Sequence, residues 1–175
     1  MKTYIALLRG INVGGKAKLK MADLKLMMQE LGFDDVVTYI QSGNVVFSSK
    51  NGNDLAEKIF KGIKAKFGYV VPVLVKTAAE IEKILKDCPF EKVKRESSYF
   101  VLLEKPPKKE FVAATEQLKY PDEKFVVTDA CVYFYCATGY GKAKLNNNLF
   151  EKKLKVAATT RNYRTLTKLV ELAGE

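Results

Sequence analysis

The stretch Arg9-Gly10-Ile11-Asn12-Val13-Gly14-Gly15-Lys16-Ala17-Lys18 concentrates residue types that hold anions. Glycines let successive backbone N–H groups wrap a phosphate or carboxylate, and Arg and Lys supply the compensating charge. Residues 10–16 fit the first seven positions of the phosphate-cradling P-loop pattern. The eighth position, which needs a hydroxyl to hold magnesium, is Ala17, so nucleotide hydrolysis is not expected. Two readings remain for the segment: an anion-binding loop, or a glycine loop needed for a tight strand exit.

Two further segments carry comparable chemistry. Thr38-Tyr39-Ile40-Gln41-Ser42-Gly43-Asn44 reads as a turn made by Ser-Gly, with Gln41, Ser42 and Asn44 as polar side chains near its tip. Ala157 to Arg164 contains Thr159 and Thr160, either able to cap a following helix, then Arg161, Asn162 and Arg164. Arginines in a helix's first turn oppose its dipole, so an anionic partner is expected there, either a protein carboxylate or a ligand. Upstream, Gly141-Lys142-Ala143-Lys144 forms a second basic glycine loop.

Composition narrows the chemistry. The 175 residues contain no histidine, which removes Ser-His and Cys-His nucleophile pairs and the commonest metal ligand. The three cysteines, Cys88, Cys131 and Cys136, have neither the even count of a disulfide framework nor zinc-type spacing, and read as buried free thiols. No metal or cofactor is expected. The net charge of +10 comes from lysines spread along the chain, a surface that favours polyanions. No apolar run approaches the roughly 20 residues of a membrane span. The chain opens directly into a strand-like segment with no signal-peptide pattern, so a cytoplasmic location and no membrane partner are expected.

The elements that must position these loops follow from periodicity. Residues 4–8 are a buried strand and 21–31 a helix, with Met21, Leu24, Met27, Met28 and Leu31 on one stripe. Strands over 36–41 and 44–48 form a hairpin, 54–67 a helix, and 69–75 a strand whose Pro72 suits an edge. The order is βαββαβ, the ferredoxin-like unit, with strands in spatial order 4-1-3-2. In that order strand 1 exits beside the entry to strand 3, which brings Arg9, Asn12 and Lys16 to the same edge as Gln41, Ser42 and Asn44.

A helix over 77–85, with Thr77 as N-cap, links to a second set: strand 99–103, helix 108–118, strands 124–128 and 131–137, helix 145–154 and strand 155–158. A final helix runs from about 161 to 172. The predicted fold is therefore α+β, with two ferredoxin-like βαββαβ units packed together, a linking helix and a C-terminal helix. Domain limits are placed at 1–76 and 77–175. The halves share element order but no residue-level repeat. The strands of the first sheet are apolar at consecutive positions, as in Tyr4-Ile5-Ala6-Leu7-Leu8, whereas a sheet with one wet face would alternate. The face away from the helices is therefore expected to be covered, by the second half or by a partner copy in a homo-oligomer.

Residues 5–16, 38–47 and 158–162 resemble the signature blocks of a widespread bacterial family, the domain of unknown function numbered 1697. The likeness spans nearly the whole chain. A family member usually has Trp after the Arg-Asn pair, where this chain has Tyr163, so an aromatic is kept. The resemblance implies a fold of ferredoxin-like character and no activity.

The leading expectation is a module that binds an anionic ligand, a phosphate-bearing small molecule or nucleic acid. Its candidate contacts are Arg9, Asn12, Gly14, Gly15, Lys16, Gln41, Ser42, Asn44, Lys142, Lys144, Arg161 and Asn162. The alternatives are an enzyme acting on a phosphorylated or carboxylated small molecule without a His base, and a structural or interaction protein without chemistry.

Overall fold

A computed structural model describes residues 1–174. The chain divides into two compact units, residues 1–82 with the C-terminal segment from Lys168, and residues 83–167.

The first unit runs β1 (Lys2–Leu8), α1 (Met21–Glu30), β2 (Asp34–Tyr39), β3 (Asn44–Ser49), α2 (Leu55–Phe67) and β4 (Val73–Thr77). All neighbours are antiparallel, and the sheet order β2-β3-β1-β4 is the ferredoxin-like one. Alternate residues of β1 and β3 (Ala6, Leu8, Val45 and Phe47) meet Leu24 and Met28 of α1 and Ile59 and Ile63 of α2 in one core. Each of the larger side chains buried this fully contributes roughly 1.5–3 kcal/mol. The intervening residues Ile5, Leu7 and Val46, on the opposite face, are also shut off from water. The non-alternating strand pattern therefore corresponds to a sheet buried on both faces.

The second unit repeats the order: β5 (Tyr99–Leu103), α5 (Lys109–Glu116), β6 (Glu123–Val127), β7 (Cys131–Cys136), α6 (Asn147–Leu154) and β8 (Ala158–Asn162), with sheet order β6-β7-β5-β8. Phe150 and Leu154 of α6 pack on Val101, Leu103, Val132 and Phe134 of the sheet. The three cysteines are buried. Helices α3 (Ala78–Lys86) and α4 (Lys92–Glu96) lie between the two βαββαβ sets, and α7 (Tyr163–Gly174) closes the chain. Among the described residues, no helix is long and apolar enough to cross a membrane.

The last strand departs from the sequence expectation. The apolar Val156-Ala157-Ala158 suggests a strand over 155–158, but Lys155 is the left-handed C-cap of α6 and the strand is Ala158–Asn162. Pairing with β5, from Leu103↔Ala158 to Tyr99↔Asn162, decides the register. Arg161 and Asn162 consequently lie on a strand rather than in the first turn of the final helix.

Helix α3 starts with a complete capping box. The Thr77 N–H and hydroxyl both donate to Glu80 Oε2 (2.7 and 2.9 Å), and the Glu80 N–H donates to Thr77 Oγ1 (3.3 Å). Partial burial works to raise the Glu80 pKa, but the hydrogen bonds from Thr77, with Lys76 and Lys2 nearby, hold it below the usual carboxylate range. A carboxylate depressed by folding stabilises the protein above its unfolded pKa, and that contribution is lost as pH falls through the folded value. Replacing Glu80 with Gln should cost about 1 kcal/mol near neutral pH. The difference in melting temperature between wild type and Glu80→Gln should shrink as pH falls below the ordinary carboxylate value of 4.5. A difference that stays constant down to acid pH would count against the carboxylate's role.

Candidate functional site

The loop after β1 is a miniature hairpin. Val13 and Lys16 form a β-bridge, and the Lys16 N–H donates to the Val13 carbonyl at 3.1 Å across Gly14-Gly15. Both glycines have positive φ, 59° and 75°, the signature of a type I′ two-residue turn. This explains the Gly-Gly pair without a ligand, and the backbone follows a hairpin rather than a P-loop.

Asn12 locks that hairpin in place. It adopts a left-handed φ of 55°, a conformation Asn tolerates better than most residues. Its Nδ2 donates to the carbonyls of Leu19 (2.8 Å) and Gln41 (2.9 Å), and its Oδ1 accepts from the Leu19 N–H (2.8 Å). One side chain thus closes the base of the loop and ties it to the tip of the β2–β3 hairpin.

The hairpin tip is equally determined. Asn44, fully buried, donates through Nδ2 to the Tyr39 carbonyl (3.0 Å) and to Ser42 Oγ (2.9 Å), bracing the turn from inside. The Gly43 carbonyl accepts from the Leu8 N–H at 2.8 Å. Gly43 has φ 81°, and a Cβ there would lie 2.6 Å from Leu8 Cβ and 2.9 Å from Ile11 Cδ1. Backbone conformation and lack of space both require glycine. Arg9 stands half-buried at the strand exit, its N–H donating to the Pro72 carbonyl at 3.1 Å.

Arg9, Asn12, Gly14, Gly15, Lys16, Gln41, Ser42 and Asn44 therefore belong to two connections joined by hydrogen bonds, with distinct duties. Asn12, Ser42, Asn44 and the Gln41 carbonyl build the scaffold. Lys16, Lys18 and Lys20, with the Gln41 side chain, are exposed, and among the described residues the three lysines make no ion pair. Sequence reasoning singled out Lys16 and left Lys18 and Lys20 aside. The signal that finds them is the absence of any Asp or Glu before Asp23.

The other two segments differ from expectation. Lys142 ends a short 3₁₀ turn (Tyr140–Lys142), and the N–H groups of Lys144 and Leu145 both donate to the Glu123 carboxylate at 2.8 Å. The protein's own carboxylate fills this anion-binding backbone, while Lys144 Nζ lies over the Tyr120 ring at 5.7 Å. At β8, Asn162 Oδ1 accepts from the Thr165 N–H at 2.8 Å and caps α7, a duty expected of Thr159 or Thr160. Thr160 instead donates to Asn147 Oδ1. Burial pulls the Arg161 guanidinium down to about 10, and its Nη1 donates to the Thr160 carbonyl at 2.8 Å. One Arg161 bond thus lies within its own strand, and Arg164 is an exposed cation of the first helical turn.

Three comparisons with known proteins bear on the chain. The family model described as "Protein of unknown function (DUF1697)" matches residues 1–133. A conserved bacterial protein of known structure, SP0830 from Streptococcus pneumoniae, is 25% identical, with a TM-score of 0.77 over 98% of each chain. The chain has no match among curated proteins.

Three substitutions separate scaffold from contact surface. Gly43→Ala should cost roughly 3 kcal/mol or more, because strain and overlap add. Asn12→Ala removes three hydrogen bonds, two to carbonyls and one to an N–H, and should cost about 2–4 kcal/mol. Gly14→Asn should stay within about 0.5 kcal/mol of wild type, since Asn-Gly suits a type I′ turn. Urea unfolding of the three variants provides the measurement. A Gly14→Asn loss as large as that of Gly43→Ala would refute the turn assignment.

Proposed function

The chain belongs to the DUF1697 family, which is described only as of unknown function, and from the geometry of its first loop we propose that it is a binding module for phosphate-bearing polyanions. The observation that carries this reading is that Lys16, Lys18 and Lys20 are exposed and make no ion pair among the described residues, on a loop that Asn12 ties down with three hydrogen bonds. A pre-ordered loop loses little conformational entropy on binding, so more of each lysine–phosphate attraction is realised as affinity. Exposed side chains at alternate positions suit a ligand laid along the surface, as a phosphodiester backbone would be. Gln41 adds a neutral donor and acceptor at the same tip. The net charge of +10 adds a field that draws such ligands in.

A reaction on a small molecule has less support. Shifted protonation is found at Glu80, Cys88, Tyr133 and Arg161, which all lie outside this loop. Burial pushes the Cys88 thiol up, against the Phe90 N–H and Arg95. Burial, with Cys131, Asp87 and Cys88 nearby, pushes the Tyr133 hydroxyl up, and Tyr133 donates to the Ile84 carbonyl at 2.9 Å. Among the described residues no group of three or more Cys, Asp or Glu is placed to hold a metal ion.

Fluorescence anisotropy of a labelled single-stranded oligonucleotide tests the reading. The logarithm of the binding constant should fall linearly with the logarithm of salt concentration, with each neutralised phosphate contributing a slope of about 0.7. Replacing Lys16, Lys18 and Lys20 together with Gln should reduce that slope by about 2. The melting temperature should barely change, since exposed substitutions are usually within about 0.5 kcal/mol. An unchanged slope in the triple variant, or no binding at low salt, would exclude this loop as the contact surface.

A further inference from the structure

The four sheet edges of this protein are treated unequally. An edge strand offers alternate residues whose N–H and C=O point away from the sheet, ready to pair with another chain. On β8, the bonds from the Glu104 N–H to the Ala157 carbonyl and the β5 register direct the outward groups to Ala158, Thr160 and Asn162. These are covered from within: Ala158 N–H by Glu151 Oε1 (2.7 Å), Ala158 C=O by Asn147 Nδ2 (3.1 Å) and Thr160 C=O by Arg161 Nη1 (2.8 Å). On β2, the ladder is broken by a bulge between Asp34 and Val37, with Asp35 at φ 50° and two carboxylates on the edge. On β4, the outward N–H of Thr77 is taken by Glu80, while the outward groups of Val73 and Val75 meet no partner among the described residues.

The β6 edge has no such cover. The Thr128 N–H donates to the Cys131 carbonyl and the Ala137 N–H to the Asp122 carbonyl, both at 2.9 Å. With the register Glu123↔Cys136 to Val127↔Val132, these bonds assign the ladder to Lys124 and Val126 and turn Phe125 and Val127 outward. Neither residue's outward N–H or C=O meets a partner among the described residues. A cavity of about 580 Å³ runs along this strand. It is lined by Phe125 on one sheet face and Lys124 and Val126 on the other, by Phe90, and by Leu118, Lys119 and Tyr120 from the connection that leads into β6. Because its lining comes from both faces, the cavity wraps the bare edge rather than lying on one side of it.

We propose that the β6 edge is a docking site for an extended acidic peptide, which adds a fifth strand to this sheet. Donors and acceptors repeating every second residue match a polypeptide backbone in strand conformation. The ring and aliphatic walls of Phe90, Leu118, Tyr120 and Val126 suit alternate apolar side chains. Charge selects the partner's sign. Lys119 and Lys124 are exposed and make no ion pair among the described residues, and Lys144 sits over Tyr120. Glu123 is engaged by two backbone N–H groups, so Glu116 is the one lining carboxylate not engaged by a bond within the described residues. A second copy of this chain, with a net charge of +10, is the electrostatically poorer occupant.

The probe is an eight-residue capped peptide alternating glutamate and valine, added to the full ¹⁵N-labelled chain while amide hydrogen exchange is followed. In the free protein Phe125 and Val127 should exchange at least about tenfold faster than Lys124 and Val126, whose N–H groups are in the ladder. The Glu/Val peptide should slow Phe125 and Val127 selectively. A Lys/Val peptide of the same length should not, and neither should a Glu/Val peptide N-methylated at alternate residues. Lys119→Glu with Lys124→Glu should weaken the Glu/Val peptide by about tenfold or more, two exposed charge pairs being removed and reversed. Both lysines are exposed, so the fold is retained and the exchange pattern of the core checks this. Failure of Phe125 and Val127 to slow at millimolar Glu/Val peptide overturns the proposal. Equal response to the Lys/Val peptide overturns it as well, and slowing with protein concentration alone would assign the edge to a second copy.

Discussion

The interaction on which the loop edge of the first unit depends is the three-bond clamp of Asn12. A strand leaving the middle of a sheet must pass the end of its neighbour, and its backbone groups need partners there. Asn12 supplies them with one side chain: two donors reach Leu19 and Gln41, and one acceptor receives Leu19. No shorter or apolar side chain bridges the loop base and the hairpin tip at once. The clamp works only because Gly43 lets the turn press against Leu8 and Ile11 without a Cβ between them. The exposed lysines are thus held on a frame pinned by those bonds, and they face solvent.

Much of this was legible in the sequence, for identifiable reasons. The βαββαβ order followed from Leu and Met at helical spacing in α1 and α2 and from apolar runs in β1 and β3. The ferredoxin-like strand order then places residue 9 and residue 42 at the same sheet edge. What periodicity does not carry is the direction of a polar side chain. Asn12, Ser42 and Asn44 read as ligand contacts because they are polar and lie in loops, and nothing in the sequence shows the bonds from Asn12 to the Leu19 and Gln41 carbonyls or from Asn44 to the Tyr39 carbonyl and Ser42 Oγ. The last strand was misplaced for a related reason: Val156-Ala157-Ala158 is the more apolar segment, but pairing with β5 selected Ala158–Asn162.

The two basic glycine loops show why composition alone does not define a site. Both place lysines beside glycine, and both sit next to exposed backbone. In the loop that ends at Lys144, a carboxylate from the same unit, Glu123, occupies the position an external anion would take. In the loop of Lys16 to Lys20 the nearest acidic residue in sequence is Asp23, and the lysines make no ion pair among the described residues. Equal local charge therefore has opposite meaning, and the difference lies in a residue some twenty positions away in the chain rather than in the motif.

Arg161 carries the same lesson for a buried cation. A guanidinium removed from water loses solvation, and burial lowers its pKa to about 10, still well above neutrality. It stays charged, so it must be repaid in hydrogen bonds. Its fork of fixed donors can reach the Thr160 carbonyl, which the β8 edge would otherwise leave facing outward. A lysine would offer a single, strongly hydrated head group whose pKa shifts more readily on burial. An arginine that the sequence offers as a candidate anion holder thus bonds a carbonyl on a sheet edge, and the same accounting of backbone groups leaves β6 as an edge without such closure.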